Sequence, residues 1–154
     1  MRQQLSALHP TAVADAGLVQ ALERHCARLQ AQFGLPIELE ACDEPPLTAN
    51  QREILYYIAR EALWNVVKHA CARRVQVLLA EEEEAISLSV IDDGAGFDPA
   101  IFVLEEARGL RSMHERATQL GGTFALESSP GHGTRITVTL KNSLTVFTWN
   151  SYAS

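Results

Sequence analysis

Several short stretches of this sequence bring together residue types that can do chemistry, at spacings that let them converge. One is Glu61, Asn65 and Lys68. At about 100° per residue these fall within roughly 60° of one another on a helix, and His69 flanks them. A carboxylate, an amide and an ammonium in one row offer a base, a metal ligand and a phosphate contact. Another is Val90-Ile91-Asp92-Asp93-Gly94-Ala95-Gly96-Phe97. There an apolar strand delivers Asp92 to its end, and glycines then let the backbone turn sharply and approach a ligand. A carboxylate fixed at that point accepts a hydrogen bond from an exocyclic amine such as that of adenine. Guanine presents a carbonyl at the same place, so two acceptors would oppose each other. A hydrogen bond to a charged group contributes about 1.5–3 kcal/mol, enough to select a base.

Two further stretches supply backbone donors. Gly109-Leu110 is expected to open a helix after a short loop, where unsatisfied N–H groups and the helix dipole favour a phosphate. Gly131-His132-Gly133-Thr134 precedes the last strand and can bring the Thr134 hydroxyl near the same ligand. Each stretch also has an ordinary structural reading: a solvated helix face, an aspartate-glycine turn, simple turn chemistry. The acidic run Glu81 to Glu84 reads as a solvated hairpin turn rather than a ligand site.

The elements that must position these residues can be read from periodicity. Met1 to Leu8 reads as the tail of a helix stopped by Pro10. Leu18, Leu22, Cys26, Leu29 and Phe33 mark a helix with Gly34 just past its end. Ile37, Leu39 and Ala41 alternate with glutamates as a half-buried strand, and Asp43 to Pro46 is a loop. Thr48 or Asn50 caps a long helix that runs towards Cys71 and packs Leu55, Ala59, Ala62, Leu63, Val66 and Ala70 on a sheet. Val75, Val77 and Leu79, then Ile86, Leu88 and Val90, form a pair of strands. Leu110, Met113, Ala117 and Leu120 mark a helix ended by Gly121 and Gly122. Phe124 and Leu126, then Ile136, Val138 and Leu140, form the final strands. The expected fold class is α/β (α+β): a two-layer sandwich with a mixed sheet of about five strands and helices on one face.

Composition narrows the function further. The chain has 154 residues, with 47% apolar and 21% charged, which suits one folded domain and argues against disorder. A net charge of −6 with no basic stripe argues against a sequence-independent grip on nucleic acid. No apolar run approaches the ~20 residues of a membrane span, and the first residues lack the apolar core of a signal peptide. Cys26, Cys42 and Cys71 form neither a metal-ligand spacing nor a disulfide framework, so a reducing cytoplasm is expected.

Taken in order, the motifs resemble the ATP-binding catalytic domain of sensor histidine kinases, within the GHKL (Bergerat-fold) ATPases. Glu61-Ala62-Leu63-Trp64-Asn65-Val66-Val67-Lys68-His69-Ala70 matches the N-box, and Asp92-Asp93-Gly94-Ala95-Gly96-Phe97 matches the adenine-binding glycine box. Gly109-Leu110-Arg111-Ser112-Met113-His114-Glu115-Arg116-Ala117, ending in Leu120-Gly121-Gly122, resembles the short-lid, nitrate-sensor-like subfamily. The resemblance runs from about Leu8 to Leu140.

The resemblance implies the cofactors ATP and Mg2+. It implies that Asp92, with Gly94 and Gly96, binds the adenine, that Asn65 ligates Mg2+, and that Lys68 and His69 lie near the phosphates. Glu61 would act as base or orient the nucleophile, Gly109 and Leu110 would close a lid, and Gly133 and Thr134 would lie near the nucleotide. The implied partners are ATP or ADP, a dimerisation and phosphoacceptor domain that receives the γ-phosphate on a histidine, and a response regulator downstream. The full-length protein would be cytoplasmic or anchored with this domain on the cytoplasmic side. Residues 1–10 would be the remnant of a dimerisation helix and 11–140 the catalytic domain; 141–154, with Phe147, Trp149 and Tyr152, is a tail outside the resemblance whose role the sequence does not assign.

The acceptor histidine of this subfamily is followed by an acidic residue. His9 precedes Pro10 and His25 precedes Cys26, so neither fits and the chain is not expected to autophosphorylate alone. Ala107 stands where the family usually has a glycine, two positions before Gly109, and alanine disfavours positive φ. Two alternatives therefore stand beside the kinase reading: an ATPase in which Glu61 activates water, and a degenerate, non-catalytic domain that binds protein partners.

Overall fold

A computed structural model of the chain describes residues 16–100 and 104–141. The expected helix tail at Met1 to Leu8, the segment after Lys141 and the side chains of Ala70 and Ala107 lie outside the described residues.

The first helix, α1 (Leu18–Phe33), buries Leu18, Ala21, Leu22, Cys26 and Leu29 along one stripe. Its N-terminus is capped from a distance: the Glu44 carboxylate accepts the N–H groups of Leu18 and Val19, each at 2.9 Å. That satisfies orphan donors with a negative charge where the helix dipole favours one. The second helix, α2 (Ala49–Asn65), opens on a reciprocal cap. Thr48 Oγ1 accepts from Gln51 N–H at 3.1 Å, and Gln51 Oε1 accepts from Thr48 N–H at 2.8 Å. Of the expected caps, Thr48 is therefore the one used. The α-helical part of the long helix ends at Asn65, and a π turn, Val66–Ala70, carries the chain on to Cys71.

The strands are β1 (Ile37–Ala41), β2 (Val75–Glu81), β3 (Ala85–Asp92), β4 (Thr123–Ser128) and β5 (Thr134–Lys141). They form one sheet in the order β1-β2-β3-β5-β4. β1 lies parallel to β2, with α2 as the crossover, and the remaining pairs are antiparallel. The mixed sheet is as expected, and alternation explains its two faces. Val75, Val77, Leu79, Ile86, Leu88, Val90, Ile136, Val138 and Leu140 are all buried beneath the helices. Leu55, Ile58, Ala59, Ala62 and Leu63 of α2 complete this core. Each large aliphatic side chain so buried contributes about 1.5–3 kcal/mol. Glu81 closes β2, and the exposed residues Glu82 to Glu84 make the turn, with Glu82 N–H donating to Ala85 O at 2.7 Å.

One expectation is corrected. The third helix, α3, spans Leu104–Gln119, so Gly109-Leu110 does not open it. Glu105, Glu106, Ala107 and Arg108 are good helix formers and carry the helix through Gly109, whose would-be Cβ meets no atom of the described residues. Among the described residues, no helix is long and apolar enough to cross a membrane.

Candidate functional site

Where α2, α3 and one end of the sheet meet, they enclose a cavity of about 320 Å³. The helix contributes Ala62, Asn65, Val66 and His69, a stripe at i, i+3, i+4 and i+7. The sheet contributes Val90 and Asp92 from β3 with Thr134 and Ile136 from β5. Gly96 and Phe97 of the loop after β3, and Leu110 of α3, close the remaining sides. The lining is thus mostly apolar, with a few polar groups at fixed points, as small-molecule sites are.

Asp92 is the charged residue buried in this lining, at 7% exposure. Its Oδ1 accepts from the Gly94 N–H at 2.7 Å. Burial raises its pKa above the ordinary value, and the neighbouring Asp93 charge adds to the rise. The backbone N–H groups of Gly94 and Thr134 pull the other way. The result is a carboxyl group held in place at the end of an apolar slot.

The loops that hold Asp92 interlock. Gly133 has φ 73°, and a Cβ on it would overlap the Asp92 carbonyl oxygen. Gly96 has φ 65°, and a Cβ there would overlap the carbonyl of Ser129. The Gly131 N–H donates to Ala95 O at 2.6 Å, joining the loop before β5 to the loop after β3. Asp93 ties a third segment in: its Oδ1 accepts from the N–H groups of Arg73 at 2.8 Å and Arg74 at 3.1 Å. Those bonds hold its carboxyl below the usual range.

Asn65, His69, Asp92, Gly96, Leu110 and Thr134 therefore converge on one cavity. The other expected site residues stand apart from its walls. Glu61 of α2 and Lys68 of the π turn are not among the residues that line the cavity; Lys68 is exposed, with its Nζ 5.9 Å from the Trp64 ring centroid. Gly94 serves Asp92 through its N–H, Gly133 backs the Asp92 carbonyl, and Gly109 lies within α3. The apolar walls at Phe97 and Ile136 were not singled out by the sequence as site residues, nor was Ser128, whose hydroxyl joins Phe97, Gly133 and Thr134. The register pairing of Ser128 with Thr134 is what places it there.

Among the described residues, no group of His, Cys, Asp and Glu side chains is assembled to hold a metal ion. The half-buried Asn65 amide on the cavity wall offers one neutral oxygen. That donor set fits Mg2+, which takes most of its oxygens from phosphates and water when it arrives with a nucleotide.

Comparisons with known proteins bear on the family and the fold. Over 142 residues the chain is 33% identical to the signal transduction histidine-protein kinase/phosphatase UhpB of Salmonella typhimurium, covering 91% of this chain and 28% of that protein. Over 126 residues it is 35% identical to the nitrate/nitrite sensor protein NarX of Escherichia coli, covering 81% of this chain and 21% of that protein. The chain therefore spans between about a fifth and a little over a quarter of the length of these relatives. The solved histidine kinase domain of a blue-light activated histidine kinase from Erythrobacter litoralis has the same fold, with a TM-score of 0.67 at 20% identity over 80% of this chain and 60% of that one. Residues 50–144, which run from the start of α2 past the end of β5 and include every residue of the cavity wall, match the family described as histidine kinase-, DNA gyrase B-, and HSP90-like ATPase. The chain belongs to that family of ATPases.

Proposed function

We propose that this chain is the ATP-binding catalytic domain of a sensor histidine kinase. It holds Mg-ATP in the Asp92 cavity and donates the γ-phosphate to a histidine on the dimerisation and phosphoacceptor domain of the same kinase. The observation that carries this reading is the buried Asp92 carboxyl at the end of an apolar slot whose helix wall bears Asn65 and His69.

Val90, Phe97, Leu110 and Ile136 take up the faces of the purine, and Asp92 accepts a hydrogen bond from its exocyclic amine. A guanine carbonyl at that position is repelled. Asn65 supplies the protein oxygen for the metal, and His69 faces the phosphate-bearing end. Mg2+, when bound, neutralises charge on the phosphate oxygens. Phosphoryl transfer of this kind depends on positioning and charge compensation more than on covalent chemistry by the protein. Glu61, outside the cavity wall, serves the incoming acceptor rather than the nucleotide. A response regulator takes the phosphoryl group onward, and the domain works on the cytoplasmic side.

Thermal unfolding with and without Mg2+ and ADP or ATP, with GTP as control, tests the site. A ligand at 100 times its Kd stabilises by about 2.7 kcal/mol, a visible shift in Tm. A shift with adenine nucleotides alone is expected; no shift at millimolar nucleotide overturns the reading. Phosphorylation of a separately supplied dimerisation domain then tests the transfer. Phosphate release without that acceptor would instead assign Glu61 to the activation of water.

A further inference from the structure

We infer that Ser128, which lies outside the wall of the nucleotide cavity, is a positioning residue for base selection: it fixes the Thr134 hydroxyl as a hydrogen-bond acceptor towards the base. The inference rests on the nucleotide reading given above and adds to it a residue and a polarity.

The argument is one of hydrogen-bond supply. Ser128 Oγ lies 2.9 Å from the Phe97 amide nitrogen, 3.0 Å from the Gly133 carbonyl oxygen and 2.9 Å from Thr134 Oγ1. A serine hydroxyl has one proton and two acceptor lone pairs. The Gly133 carbonyl can only accept, so it takes the Ser128 proton. The Phe97 N–H can only donate, so it occupies one lone pair. The Thr134 hydroxyl proton fills the other, and the Ser128 hydroxyl is then fully used.

Thr134 has only one hydroxyl proton, and that proton is committed to Ser128. Thr134 lines the cavity, so what its oxygen presents there is lone pairs. Its register partner across the β3–β5 ladder is Asp92, which is also an acceptor when ionised. Two acceptors side by side match a group that carries two N–H bonds, directly or through one water. The exocyclic amine of a 6-aminopurine is such a group. A 6-oxo purine meets two acceptors and finds no donor. Ser128 thus takes part in the choice of base without standing in the cavity wall.

The experiment compares ATP with ITP, whose base carries a 6-oxo group and lacks the amine, by titration calorimetry on the full chain. Wild type is expected to prefer ATP. In Ser128→Ala the Thr134 proton is released and can turn into the cavity to donate to the 6-oxo group, so the preference for ATP should fall by about tenfold, the size of one hydrogen bond gained in place of an opposed pair. An unchanged ratio in a Ser128→Ala protein that melts at the wild-type temperature overturns the inference. Should that variant not fold, Thr134→Val decides. Loss of ATP affinity with ITP affinity kept supports an accepting Thr134; equal losses, or a greater loss for ITP, overturn it. Failure of the wild type to bind ATP at all is a separate outcome and overturns the nucleotide reading itself.

Discussion

Gly133 lies directly against the carbonyl of Asp92, at φ 73°, with no room between them for a Cβ. The loop before β5 is therefore part of the support for the carboxylate that the sequence presents on β3. Gly133→Ala should cost about 1–2 kcal/mol from its left-handed backbone alone, and more from displacement of Asp92. Urea unfolding would measure the first effect, and a parallel loss of ATP affinity the second.

Gly109 predicts the opposite sign. It sits inside α3, and no atom of the described residues lies within 4 Å of its would-be Cβ. Gly109→Ala should raise stability by about 0.5–1 kcal/mol, the helix-propensity difference between the two residues. If ATP affinity falls while stability rises, the helix unwinds at Gly109 when nucleotide binds.

Asp92 should make both stability and binding depend on pH, in opposite directions. Burial raises its folded pKa above the unfolded value. Its contribution to stability is therefore complete below the ordinary aspartate range and is lost as pH rises through the raised folded value. The ionised carboxylate is the better acceptor for an amine, so nucleotide affinity should rise across the same window. Asp92→Asn should weaken ATP by about tenfold or more at neutral pH while the fold persists. The difference between wild type and variant, measured with ADP over a pH series, cancels the titration of the nucleotide itself.

Asp93 has the contrary shift, lowered by the backbone N–H groups of Arg74 and Arg73. Its contribution is present above the unfolded pKa and is lost as pH falls through the lower folded value. Asp93→Ala should lower the Tm, and Asp93→Asn, which keeps an acceptor oxygen, should recover part of the loss.

Tyr57 of α2 and Ser112 of α3 join their hydroxyls at 3.0 Å, and the Arg116 guanidinium lies 4.1 Å from the centroid of the Tyr57 ring. This cluster fixes α3, and with it Leu110, against α2. Tyr57→Phe and Ser112→Ala should each cost about 0.5–1.5 kcal/mol in denaturant unfolding. The double variant should lose less than the sum, because both changes delete the same bond.

Much of this was legible in the sequence, for identifiable reasons. Alternation in β2, β3 and β5 and the stripe in α1 report burial directly, and the cap at Thr48 carries its signature in Gln51. Asp92 stands out because a buried strand ends on it. What could not be read was set by packing between distant segments. An α-helical period puts Glu61, Asn65 and Lys68 in one row, but Lys68 falls in the π turn, and the cavity takes Ala62, Asn65, Val66 and His69, which only tertiary contact decides. Glycine at 109 suggested a boundary, whereas the run before it favours helix. Glu44 capping α1 and Ser128 bonding Thr134 depend on chain crossings that local pattern does not encode.

Among the described residues, the strand order β1-β2-β3-β5-β4 leaves β1 with one unpaired edge. A row of open backbone donors and acceptors invites another strand, and so self-association of copies through their sheets. β1 carries Glu38 and Glu40, both exposed and on one face, in a strand that runs only from Ile37 to Ala41. Arg74 of the same chain pairs with Glu38 at 2.8 Å, and Glu40 adds a second negative charge beside it. Edge-to-edge docking of two copies would crowd like charges along a strand too short to repay them. The acidic β1 edge therefore disfavours growth of the sheet from that side by pairing with another copy.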